Sequence, residues 1–120
     1  LSHIATKCSM KIMYIARFAR QDLLRAVGAI TTMITRWGEA CDRKLFSIIK
    51  CINGTASWRQ IGFIGDTTAS LQLELFSDAD FARDRADMTS TLCVFLVLCG
   101  PHCVFPIAAQ SKKQTEVSHS

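Results

Sequence analysis

Apolar positions recur at steps of three and four through the first half of the chain, then at alternate positions later, a change of period that separates helix from strand. The run "MKIMYIARFA" over residues 10–19 is helix-compatible. Asp22 is a candidate N-cap for a second helix. There Leu23, Ala26, Val27, Ile30, Ile34 and Trp37 form one apolar stripe, and Gly38 closes it as a C′ residue. A third helix follows, with Asp42 as candidate cap, Leu45, Ile48, Ile49 and Ile52 on one face, and Asn53-Gly54 as its stop. Its other face carries Arg43, Lys44 and Lys50. Met13, Met33 and Trp37 sit at helical spacing and are expected in the core. Beyond Gly54 the segments "RQIGFIG", "LQLELFSD", "TLCVFLVL" and "CVFPIAAQ" read as four short strands, with a Gly65-Asp66 turn after the first. Helices first and strands second is an α+β order, and the last three strands are close enough in sequence to form an antiparallel meander.

Residues 91–109 contain no Asp, Glu, Lys or Arg and approach the length of a bilayer span. Gly100-Pro101-His102 places a turn signal and a polar ring in the middle, so two buried strands joined by a tight turn are predicted there rather than a membrane segment.

The strand over 71–77 runs into "SDAD". Residues two apart on a strand share a face, so Asp78 and Asp80 would repel unless a cation or a turn relieves them. If that strand is buried on one side and central in the sheet, Asp78 stands at its end, either solvated or as part of a metal site. Hydrolysis by two metals needs carboxylates from several elements, because the cations must be held about 4 Å apart. Asp84 and Asp87 are local to the following loop, the face of Glu74 is open, and Glu116 lies in the tail.

At 120 residues the chain is long enough for one domain at most. The patterning divides it into a helical segment, 1–56, and a β-meander with a polar tail, 57–120, of which 111–120 reads as disordered. The net charge of +4 is uneven. Residues 1–60 hold 10 Lys and Arg against 3 Asp and Glu (+7), and residues 61–120 hold 4 against 7 (−3). A basic half beside an acidic half suits a polyanion-handling surface next to a cation-binding strand, although basic residues also simply solvate helix faces. The start, "LSHI", lacks the pattern of a secretory leader, so an intracellular chain is expected. On that view the six cysteines are reduced and mostly buried, and Asn53-Gly54-Thr55 is a helix terminus rather than a glycosylation site. "CGPHC" over 99–103 clusters zinc-type ligands without a second ligand pair, and thiols flanking a hairpin turn are the expected reading.

The order "MYIARFARQDLLRAVGAITTMI", "DRKLFSIIKCINGT", "LFSDADFARD", Ser90-Thr91 and "SKKQTEVSHS" resembles the pol polyprotein of copia-type retrotransposons, where the reverse transcriptase passes into ribonuclease H. The likeness runs from about Met10 to the end, and "SDADFA" with "SKKQ" carries most of its specificity. It implies a ribonuclease H fold whose first strands form the meander. It also implies Asp78 as the first catalytic aspartate and a Mg²⁺ ligand, and Asp80 as a supporting metal residue. The family's other carboxylates follow a stretch like "VSHS", so an incomplete site is expected within these residues. Gln21, Leu92-Cys93 and Ala109 depart from the family pattern of Pro, Ser-Gly and Trp.

The resemblance thus implies a fragment of an enzyme that hydrolyses the RNA of RNA·DNA hybrids, inactive alone, with the hybrid and the rest of the polyprotein as partners and no membrane. The alternative is a non-catalytic remnant that binds nucleic acid through Arg17, Arg20, Arg25, Arg43, Lys44 and Lys50, with Lys112 and Lys113. A third reading is a leftover open reading frame without a ligand.

Overall fold

The computed structural model describes residues 2–84 and 89–113. Contacts gather into two compact units, Leu1–Ile61 and Gly62–Ser120, where the chain length suggested one domain at most. The class is α+β, with helices preceding an antiparallel sheet.

In the first unit α1 (Ser2–Phe18) starts eight residues before the run singled out in the sequence. Its inner face, Ala5, Ser9, Ile12, Met13 and Ala16, follows the three-to-four step and is buried. Ser9 satisfies its buried hydroxyl by donating to the Ala5 carbonyl at 2.8 Å. α2 (Leu24–Thr31) supplies Val27 and Ile30, and α3 (Glu39–Gly54) supplies Cys41, Leu45 and Ile48 to the same core.

The second helix is shorter than its apolar stripe predicted. Thr31 and Thr32 donate their hydroxyls to the carbonyls of Gly28 and Ala29, both at 2.8 Å, and this local bonding competes with continuation. A 3₁₀ turn at Ile34–Arg36 and an extended Trp37 follow. Met33 is consequently exposed, whereas Met13 is buried and Trp37 packs on the core. Gly38 is the residue before α3 and not a C′ residue. Asp42 lies in the first turn of α3, where it accepts the Trp37 indole N–H at 2.7 Å instead of capping. Asp22 sits in a 3₁₀ turn, Gln21–Leu23, rather than before α2, and its carboxylate is held chiefly by Arg20. Asn53-Gly54 does end α3, where the Thr55 hydroxyl donates to the Cys51 carbonyl at 2.7 Å. Ile49, expected on the inner face, is exposed.

The second unit is a three-stranded antiparallel meander in the order β1 (Gln72–Asp84), β2 (Thr89–Cys99), β3 (Val104–Lys113). "RQIGFIG" forms no strand. Gly62 lies against the Phe105 ring, while Ile61 and Phe63 beside it are exposed, and the segment does not pair with the sheet. β2 is central and β1 is an edge, the reverse of the expected placement, because a three-strand meander always puts its middle strand inside. Leu73 and Leu75 are each 65% exposed, while Val97 on β2 is 2% exposed. The predicted burial of one face of β1 is therefore not found. The register shifts between Leu96 and Val97, opposite Ala108 and Pro106, a position where an edge strand tolerates proline.

The charge-free stretch divides into two strands as predicted, with β2 and β3 joined through Gly100, whose N–H donates to the Cys103 carbonyl at 2.8 Å. The strands are not buried as expected: Val97 alone among residues 91–109 is buried, and Val104 is exposed. Among the described residues no helix is long and apolar enough to cross a membrane. All six cysteines are free. Only Cys41 is buried, Cys8, Cys99 and Cys103 are half-buried, and Cys51 and Cys93 are exposed, which corrects the expectation of mostly buried thiols.

Candidate functional site

Asp78 is the seventh of thirteen residues in β1, so it stands within a strand and not at its end. Ladder pairing runs unbroken past it to Asp80 and shifts only between Asp80 and Asp84, where alternation of the sequence alone gave no reason to extend the strand. Asp78 is exposed and pairs with Cys93, which in turn pairs with Ser111. Cys93 Sγ and Ser111 Oγ are 3.6 Å apart, which places both on one face of the sheet. Asp80 pairs with Thr91, and Thr91 with Lys113. The side chains of Asp80 and Lys113 lie outside the described residues, as do Asp87 and Glu116.

Glu74 lies four residues from Asp78 and so shares its face of β1, at a backbone separation of about 14 Å at ~3.4 Å per residue. Mg²⁺ bonds its oxygens at about 2.1 Å, so one ion cannot join Glu74 to Asp78. Among the described residues no three His, Cys, Asp or Glu side chains converge to hold a metal ion. Asp78 thus offers one carboxylate, and the described donor set does not fit a two-metal centre.

The basic residues fall into distinct roles. Arg20 is held within the helical unit: its Nε and Nη2 donate to the two Asp22 oxygens at 3.0 and 2.9 Å, its Nη1 donates to Thr55 Oγ1 at 2.8 Å, and its guanidinium carbon lies 5.8 Å from the centre of the Trp58 ring. Pairing with Arg20 lowers the Asp22 carboxyl below its usual range, and Asp22 in turn raises the Arg20 guanidinium. Arg17 is half-buried, with its Nε enclosed and without a hydrogen-bond partner. Arg25 from α2 and Arg43 and Lys44 from α3 line one open groove of about 690 Å³, floored by Ala26, Ala29 and Ile48. Arg43 also donates to Glu39 Oε1 at 3.2 Å, one turn away and exposed. Lys50 is exposed, with Nζ 6.0 Å from the Phe46 ring centre. Lys112 is exposed on β3.

One cluster was hidden from sequence reasoning. Asp66 Oδ2 accepts the His102 backbone N–H at 3.0 Å across 36 residues, and the Asp66 carboxylate also hydrogen-bonds the Cys103 thiol. The thiol bond, followed by the His102 N–H, lowers the Asp66 carboxyl; the same bond raises the Cys103 thiol. Cys99 is raised chiefly by desolvation and then by Glu74. Each half-buried thiol of "CGPHC" has a different carboxylate neighbour, and no zinc-type group forms among the described residues. The Gly65-Asp66 turn and the "CGPHC" hairpin were each marked in the sequence, but not their meeting.

No protein-family model, no curated protein and no solved structure matches this chain.

Proposed function

We propose that this chain is a segment of a copia-type pol polyprotein, spanning the end of the reverse transcriptase and the start of ribonuclease H, and that it does not cleave nucleic acid by itself. The observation that carries this reading is the order of the elements. Asp78 lies on the first strand of an antiparallel meander that follows a helical unit, the order the resemblance implies, with Asp78 within that strand where the resemblance puts it at the end. The single carboxylate of Asp78, with no convergent group around it among the described residues, supports inactivity in isolation. The test is incubation of a labelled RNA·DNA hybrid with the parent chain and with Asp78→Asn, in Mg²⁺ and in Mn²⁺. Neither protein should produce cleavage. Cleavage by the parent that Asp78→Asn abolishes would overturn the inactivity.

A second reading, nucleic-acid binding without chemistry, is favoured by the convergence of Arg25, Arg43 and Lys44 on one groove. Contacts between such cations and phosphates release counterions, so binding should weaken as salt rises. Binding of hybrid or single strand that is indifferent to salt between low and moderate ionic strength would remove it.

A further inference from the structure

We infer that the groove between α2 and α3 seats a single-stranded nucleic acid in preference to a duplex; this rests on the nucleic-acid-binding reading above and assigns it a site and a substrate class. The groove combines two kinds of surface. Its rim brings Arg25 together with Arg43 and Lys44, cations contributed by two helices, and its floor is the apolar surface of Ala26, Ala29 and Ile48. Asp22 also lines it, but both oxygens of that carboxylate accept hydrogen bonds from Arg20, so the rim keeps a positive excess.

A duplex presents phosphates and keeps its bases stacked inside, so it would meet the cationic rim and leave the apolar floor in water. A single strand can turn a base or sugar face onto that floor while its phosphates lie on Arg25, Arg43 and Lys44, so that both surfaces are used at once. No aromatic side chain lines the groove, which limits the floor to face-on apolar contact and leaves affinity to the phosphates. Binding is therefore expected to be tolerant of base sequence.

The experiment is fluorescence anisotropy with a labelled mixed-sequence single strand and an RNA·DNA hybrid of equal length, titrated with the whole chain. Three variants accompany the parent: Arg25→Gln with Lys44→Gln, Ala29→Glu in the exposed floor, and Lys7→Gln with Lys11→Gln, which removes equal charge from the exposed side of α1. The single strand should bind more tightly than the hybrid. The groove pair should weaken single-strand binding by about tenfold and reduce the salt slope by about 1.4, two phosphate contacts at ~0.7 each. Ala29→Glu should weaken it similarly, and the α1 pair should leave it within about twofold. Equal loss from the groove and α1 pairs, or hybrid binding as tight as single-strand binding, would overturn the groove while leaving nucleic-acid binding intact. Absence of binding to either probe by the folded parent would overturn both.

Discussion

Asp66 Oδ2 accepts the backbone N–H of His102 at 3.0 Å, fastening the loop before β1 to the turn between β2 and β3. The Asp66 carboxyl is lowered by the Cys103 thiol first and by this N–H second. A carboxyl depressed in the folded state contributes stability above its unfolded pKa, about 3.9, and loses it as pH falls through the lower folded value. Asp66→Asn should therefore melt below the parent at pH 7, with the gap closing in strong acid. Thermal melts followed by circular dichroism at several pH values measure this, and a gap independent of pH would remove the linkage.

The same carboxylate accepts the Cys103 thiol hydrogen and holds that proton in place. With its pKa raised, Cys103 carries less thiolate at pH 8 than an ordinary cysteine and should alkylate more slowly than exposed Cys51 and Cys93. Asp66→Asn removes the charge that holds the proton, so Cys103 should react faster in that variant. Peptide mapping after timed alkylation reads each site separately.

How much of this was legible in the sequence depended on range. The helix faces that carry Val27, Ile30, Leu45 and Ile48 were readable because a helical period is a local property, and the meander was readable because its strands are adjacent in sequence. The break after Thr31 was missed because the apolar stripe continues through Ile34 and Trp37, while the hydroxyl bonds that end the helix compete against it. The extension of β1 past Asp78 was missed because acidic residues disfavour strands intrinsically, whereas pairing with β2 decides the outcome. The groove was half legible: Arg43 and Lys44 were assigned to the outer face of their helix, but their meeting with Arg25 is set by how α2 and α3 pack. The Asp66–His102 bond links residues 36 apart, and no local pattern encodes such a pair.

Ile30 is 2% exposed and stands among Val27, Leu45 and Ile48 in the helical core. Ile30→Ala removes buried methyl and methylene groups and leaves a cavity, at about 2–5 kcal/mol. That is a large fraction of the ~5–15 kcal/mol typical of a whole domain. The expected outcome is loss of helical circular dichroism at a markedly lower denaturant concentration.

Gly62 tests the packing of the sheet unit. A Cβ at this position would stand 2.7 Å from Phe105 Cε2 and closer still to Cδ2, so the ring must move to admit it. Gly62→Ala should destabilise by about 1–3 kcal/mol, as overpacking does. Phe105→Leu, which shrinks the opposing group, should offset part of that loss, and a double-mutant cycle in urea gives the coupling.

Arg20 separates a structural cation from a binding one. It makes two hydrogen bonds to Asp22 and one to Thr55, and lies over Trp58, so its planar fork joins the chain on both sides of the helical core. Arg20→Ala should lower the melting temperature of the helical unit, and Arg20→Lys should recover only a minor part, because an ammonium cannot span both Asp22 oxygens and reach Thr55 at once. Since Asp22 is depressed by the same pairing, the parent's advantage over Arg20→Lys should persist at neutral pH and shrink as pH falls through the folded Asp22 value. Nucleic-acid binding by the folded Arg20→Lys protein should match the parent, whereas charge removal at Arg25 and Lys44 should not. Equal loss of binding from Arg20→Lys at unchanged fold would instead put Arg20 among the phosphate contacts.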